Sequence, residues 1–122
     1  MDIKQSFGDF IVTKRMDQGI SLRKMAEQLQ ITPAYLCDME KNRRQPPEKP
    51  LLDKMAEALF LTDAERLYLY DMAGSLRGEV SPDLPEYIMA NDVVRVALRK
   101  AKDKHVNEEA WLQFIRQMEN QV

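Results

Sequence analysis

Apolar residues recur along this chain at helical spacing, and no segment shows the strict alternation of a half-buried strand. Phe7, Phe10, Ile11 and Arg15 share one stripe of a first helix over about Ser6 to Gln18, which Gly19 stops. Ser21 is a good N-cap for a second helix, where Leu22, Met25, Ala26 and Leu29 form the apolar side. Gln30-Ile31 make a tight turn. Thr32 then caps a third, short helix with Pro33 at its first position, where the missing N–H is of no consequence. Leu36 and Met39 bury against Ala26, so Pro33, Ala34, Tyr35, Cys37 and Asp38 face outward. Leu52, Met55, Ala56 and Leu59 predict a fourth helix from about Pro50 to Leu61. Thr62 caps a fifth, Asp63 to Ala73, with acids in its first turn and Gly74 past its end.

Gly78, Pro82 and Pro85 mark a linker between Ser75 and Pro85. Beyond it a short helix or turn is expected over Pro85 to Ala90, then helices over Asp92 to Lys102 and Asn107 to about Gln121. The first of these long segments carries a stripe of Val94, Ala97, Leu98 and Ala101. The second carries Trp111, Phe114, Ile115 and Met118. Two short amphipathic helices bury too little on each other, so both stripes need the first domain or a second subunit as cover. The expected organisation is therefore a domain over 1–76, a linker with a short helix over 77–90, and a helical extension over 91–122. Trp111, Phe114, Ile115 and Met118 are the expected dimerisation surface.

The third helix is followed at once by Lys41, Asn42, Arg43 and Arg44, with Lys49 a little further on. A short helix carried on another, with cations just past its end, suits insertion into a DNA major groove. Met25-Ala26, Ile31-Thr32, Leu36, Met39-Glu40 and the Arg-Arg-x-Pro-Pro run resemble the phage-repressor/Cro (XRE) helix-turn-helix class over roughly residues 6 to 74. Three positions depart from the family pattern. Leu22 stands where a phosphate-binding Gln is usual, Gln30 replaces a turn Gly, and Asn42 replaces a Gly, although Asn tolerates a left-handed backbone well.

The resemblance implies an all-α, five-helix lambda-repressor-like domain with a helical C-terminal extension. It places base-edge contacts on the outward face of the third helix, at Pro33, Ala34, Cys37 and Asp38. Contacts to phosphate fall to Ser21, Thr32, Tyr35, Lys41, Asn42, Arg43 and Arg44. It also implies an ion pair between Arg15 and Glu40, since Arg15 lies on an apolar stripe where an unpaired charge is costly.

The formal charge of −2 would argue against a nucleic-acid partner, but a groove binder needs a local cationic face and not a basic total. A single cysteine excludes an internal disulfide and fits a reducing cytoplasm. No apolar run approaches a membrane span, and Met-Asp-Ile-Lys-Gln does not read as a signal peptide. His105 is the lone histidine, so a metal site has no ligand set, and no phosphate-cradling glycine loop is present. Arg95, Arg99, Lys100, Lys102 and Lys104 form a second basic cluster, read as a solvated face. Neither a catalytic site nor a cofactor is expected. The function expected is sequence-specific double-stranded DNA binding by a cytoplasmic homodimeric repressor on an inverted-repeat operator. The alternative is an antitoxin whose C-terminal helices cover a toxin.

Overall fold

A computed structural model describes residues 5–121. Met1 to Lys4, where the expectation about a signal peptide falls, lie outside the described residues. The helices are α1 (Phe7–Asp17), α2 (Leu22–Leu29), α3 (Pro33–Glu40), α4 (Lys49–Ala58), α5 (Asp63–Arg77), α6 (Pro85–Ala90), α7 (Asp92–Asp103) and α8 (Glu108–Glu119). No strand occurs among the described residues. The chain divides into two compact units between Pro85 and Glu86.

Local chemistry sets both ends of most helices. Ser6, Ser21, Thr32, Thr62 and Asn107 each accept the backbone N–H three residues on, which satisfies a donor with no intrahelical partner. Thr62 and Glu65 complete a reciprocal capping box at the start of α5. At the other ends Gly19, Gln30, Asn42, Phe60, Gly78 and His105 adopt a left-handed backbone. In each case the next residue's N–H reaches the carbonyl five residues back, the signature of a Schellman closure.

Two closures shift the predicted boundaries. The fourth helix ends at Ala58 and not at Leu61, because Phe60 turns left-handed and returns the N–H of Leu61 to the Ala56 carbonyl. The turn lets Leu61 pack against the core and leaves the Phe60 ring 74% exposed. The fifth helix passes through Gly74 and ends at Arg77, with Gly78 as its left-handed cap. Gly74 is needed for closeness and not for termination: a Cβ there would lie 2.9 Å from both the Glu79 carbonyl oxygen and the Ser81 nitrogen. Residues 79–81 thus fold back across α5, where the Ser81 hydroxyl donates to the Asp71 carboxylate.

In the first unit α1 and α2 pack on α3, α2 on α4, and both α1 and α4 on α5. Their shared core includes Phe7, Ile11, Met25, Leu36, Met39, Leu52, Met55, Leu69 and Met72, all essentially without exposure. Phe10 meets Tyr68 edge to face, with centroids 5.4 Å apart. The tightest approach is at Gly8, where a Cβ would lie 2.3 Å from the Glu40 carbonyl oxygen, so α1 rests directly on the last turn of α3.

In the second unit none of the described residues is buried. Arg95 closes the end of α6 by donating to the carbonyls of Ile88 and Met89, and it also pairs with Asp92. It therefore leaves the basic cluster expected on α7. Trp111 and Phe114 meet edge to face on α8, with centroids 6.4 Å apart.

A polar cluster joins α4 to α5. The Tyr70 hydroxyl donates to Asp53, Lys49 Nζ lies 3.0 Å from Asp53 Oδ2, and Arg66 lies 3.9 Å from the same carboxylate. Burial disfavours the Asp53 charge, but these donors outweigh it and hold its pKa below the usual carboxylate value. The folded pKa being the lower one, the unfolded chain binds this proton more readily. The contribution of Asp53 is then present in full above the unfolded value of about 4 and is lost as pH falls through the folded value. Asp53→Asn is expected to lower stability at pH 7 by roughly 0.5–1 kcal/mol, the scale of a partly exposed pair, and to flatten the acid limb. Urea unfolding between pH 3 and 7 measures both, and parallel pH profiles for the two proteins would refute the assignment.

Candidate nucleic-acid interface

The outward face of α3 is assembled from both of its ends. At its start Thr32 Oγ1 accepts the Tyr35 N–H at 3.1 Å and Pro33 carries no N–H, so Ala34 supplies the remaining donor of the first turn. Pro33 and Ala34 are exposed, and Tyr35, Cys37 and Asp38 are half-buried. Cys37 is a free thiol. Gln30 holds the left-handed turn before α3 at φ 59°, where the family pattern has Gly. Leu22, at the place of the family's phosphate-binding Gln, packs its side chain against the core. Ser21, one residue earlier, accepts the Lys24 N–H with its hydroxyl oxygen.

At the other end Arg15 grips Glu40 with two hydrogen bonds, Nε to Oε2 at 2.7 Å and Nη2 to Oε1 at 2.9 Å. Arg15 Nη1 also donates to the Ile20 carbonyl at 2.9 Å. The Glu40 hydrogen bond, against an opposing burial effect, raises the Arg15 pKa further above its ordinary value. Glu40 is only 8% exposed, so the pair is largely removed from water. Asn42 adds a third tie. Its carboxamide accepts the Gly8 N–H at 3.0 Å and donates to Ser6 Oγ at 3.2 Å. The Asn42 side chain, expected at phosphate, is thus occupied by the start of α1.

Beyond α3 the two adjacent arginines diverge. Arg43 places Nη1 3.8 Å from Asp38 Oδ1, and its backbone N–H bonds the Asp38 carbonyl at 2.8 Å. The Arg44 guanidinium lies over the Tyr35 ring, 4.8 Å from its centroid, a cation–π contact. The half-buried Tyr35 ring thus packs against the core and also backs an arginine. Lys41, Arg43 and Arg44 are all exposed. Their loop is anchored from α5: Arg77 Nη1 donates to the Pro46 carbonyl at 3.0 Å, with Pro46 and Pro47 buried beneath.

Thr32, Pro33, Ala34, Tyr35, Cys37 and Asp38 thus share one short helix with Lys41, Arg43 and Arg44 at its end. Ser21 stands apart at the start of α2. Gly8 and Arg77, which hold this surface in place, escape sequence reasoning because their partners lie 32 and 31 residues away. Only the polar Arg15 within an apolar stripe carried a signal of such a long-range tie.

The family model described as helix-turn-helix matches residues 11–66. Among solved structures, the chain is similar to SinR, described as the master regulator for biofilm formation, in complex with DNA. That likeness has 28% identity, covers 50% of this chain and 97% of that one, and has a TM-score of 0.46. It is also similar to the clp gene regulator ClgR from Corynebacterium glutamicum, at 31% identity over 57% of this chain and 87% of that one, TM-score 0.46. A SinR/SinI protein complex is similar at 19% identity over 93% of this chain and 94% of that one, TM-score 0.48. No curated protein matches the chain. Residues 11–66 of this chain thus form a segment of the helix-turn-helix type.

Removing Glu40 leaves the Arg15 guanidinium in the α1–α3 contact without its anion. Glu40→Ala is therefore expected to destabilise the protein by roughly 3 kcal/mol, or on the order of 10 °C in Tm. A thermal melt within a degree or two of wild type would refute that role.

Proposed function

We propose that this protein is a transcriptional regulator that binds double-stranded DNA sequence-specifically, with α3 as its reading helix. The observation that carries the reading is the union of three features on one rigid end. One face of α3 is outward, its last turn is held by Arg15–Glu40, and the exposed cations Lys41, Arg43 and Arg44 follow it. Affinity comes from phosphate contacts by Lys41, Arg44, Ser21 and the start of α3, and choice of sequence from Pro33, Ala34, Cys37 and Asp38. This function requires no catalysis. Nor is a helix among the described residues long and apolar enough to cross a membrane.

Arg44 is backed by an aromatic ring and has no acid within ion-pair distance among the described residues, which leaves its outer N–H groups for phosphate. Arg44→Ala is expected to weaken binding about equally on every duplex. It should also reduce the slope of log affinity against log salt by roughly one unit. Titrations at several salt concentrations on two unrelated duplexes test this. A wild-type protein that binds no duplex, or binds without salt dependence, would overturn the DNA-binding reading itself.

The second unit supports dimerisation as part of this function. Trp111, Phe114, Ile115 and Met118 are between 37% and 50% exposed, so covering the rest of each would recover up to about half of the roughly 1.5–3 kcal/mol that full burial of such a side chain provides. Two copies joined this way present two reading helices to an inverted repeat with half-sites roughly 10 base pairs apart or a multiple of that. Truncation after Pro85 is expected to leave a folded monomer that binds a full operator poorly, measured by mass in solution and by titration. An unchanged dimer would exclude the extension from the interface.

A further inference from the structure

The geometry points to Arg43 as a guanine-reading residue oriented by Asp38, and not as a second phosphate contact beside Arg44. This rests on the DNA-binding reading above and assigns a specificity role within it. Arg43 is tied to Asp38 twice, through its backbone N–H to the Asp38 carbonyl at 2.8 Å and through the guanidinium, 3.8 Å from the carboxylate. The left-handed Asn42 produces this closure and brings Arg43 to Asp38 in α3, while Arg44 lies over Tyr35 near the start of the helix.

Electrostatics separates the two arginines. A phosphate approaching Arg43 also approaches the Asp38 carboxylate and is repelled by it. The O6/N7 edge of guanine offers acceptors in a plane that carry no net charge, so the repulsion it meets is much weaker. At 3.8 Å the carboxylate is too far to hold a guanidinium N–H by a full hydrogen bond, so it narrows the directions available to Arg43 without occupying its fork. The Arg43 side chain remains 65% exposed, against 39% for Asp38. By contrast Arg15, Arg77 and Arg95 all have N–H groups committed to protein carbonyls. Asp38 in this arrangement is a positioning residue, and its own contact with a base is not required.

The test is selection from randomised duplex DNA with the full chain, comparing wild type with Arg43→Lys, Arg43→Ala, Asp38→Ala and the double alanine variant. Wild type is expected to select a guanine at one position of each half-site. Arg43→Lys keeps the charge but loses the bidentate fork, and should lose that preference by roughly 5- to 150-fold while retaining its salt slope. Asp38→Ala should relax the same position by less, and the double variant no further than Arg43→Ala alone. Both side chains are exposed enough that folding should survive, which thermal melts verify. An unchanged guanine preference in Arg43→Lys, or relaxation at a different position in Asp38→Ala, overturns the assignment while the DNA-binding reading stands. Selection of no sequence by wild type overturns both.

Discussion

The contact between α1 and the last turn of α3 is the constraint on which the rest of the first unit depends. Three features converge there: the Gly8 backbone against the Glu40 carbonyl, the Arg15 fork on the Glu40 carboxylate, and the Asn42 carboxamide between Gly8 and Ser6. Each imposes a different condition. The glycine sets distance, since any Cβ would meet backbone atoms that cannot move aside. The bidentate pair sets orientation, because a planar fork accepts a carboxylate in few poses. Asn42 sets the exit of the chain, since its left-handed backbone closes α3 while its side chain caps the start of α1. Residues 43 and 44 leave the helix from a fixed point as a result.

Strain in this fold is concentrated at helix ends. Left-handed backbone costs an ordinary L-residue about 1–2 kcal/mol, yet Gln30, Phe60 and His105 all adopt it. The turns persist because the return bonds from Ile31, Leu61 and Val106 complete the helix ends. In the first unit they also bring Ile31 and Leu61 against the core. At Gln30 the turn sets the angle between α2 and α3, so the strain lies next to the proposed reading helix.

The charge of the molecule is arranged rather than excessive. Several acids of the first unit serve structure: Glu40 holds Arg15, Asp53 gathers Lys49, Arg66 and Tyr70, and Glu65 caps α5. The Lys14 side chain, together with the Thr62 backbone N–H, holds the Glu65 pKa below the usual carboxylate range. With these carboxylates engaged by partners within the fold, a chain of net charge −2 still exposes Lys41, Arg43 and Arg44. The second unit follows a different logic, with apolar stripes but no buried residue among those described.

Much of this was legible in the residues alone. Helical periodicity, the Ser and Thr caps and Pro33 are local signals, acting within one or two turns, and they located α1, α2, α3 and the start of α5. The left-handed backbone at Gln30 and Asn42 followed from the family pattern, and Arg15 on an apolar stripe announced a partner. Where a local signal had two physical uses, the reading went astray. Gly74 reads as a helix stop but answers a close approach by residues 79–81, and Leu61 continues the apolar spacing of α4 although the chain has already turned at Phe60. Asn42 has the chemistry for phosphate, and its side chain also bonds Gly8 and Ser6, partners that no local signal announces. The divergence of Arg43 and Arg44 had no sequence signal, for two adjacent arginines are chemically identical. The amino-acid order by itself therefore determined the helices, the capped ends and the face of α3. Only the tertiary structure decided which polar side chains are already held and which remain free, because that depends on partners brought together across about thirty residues of chain.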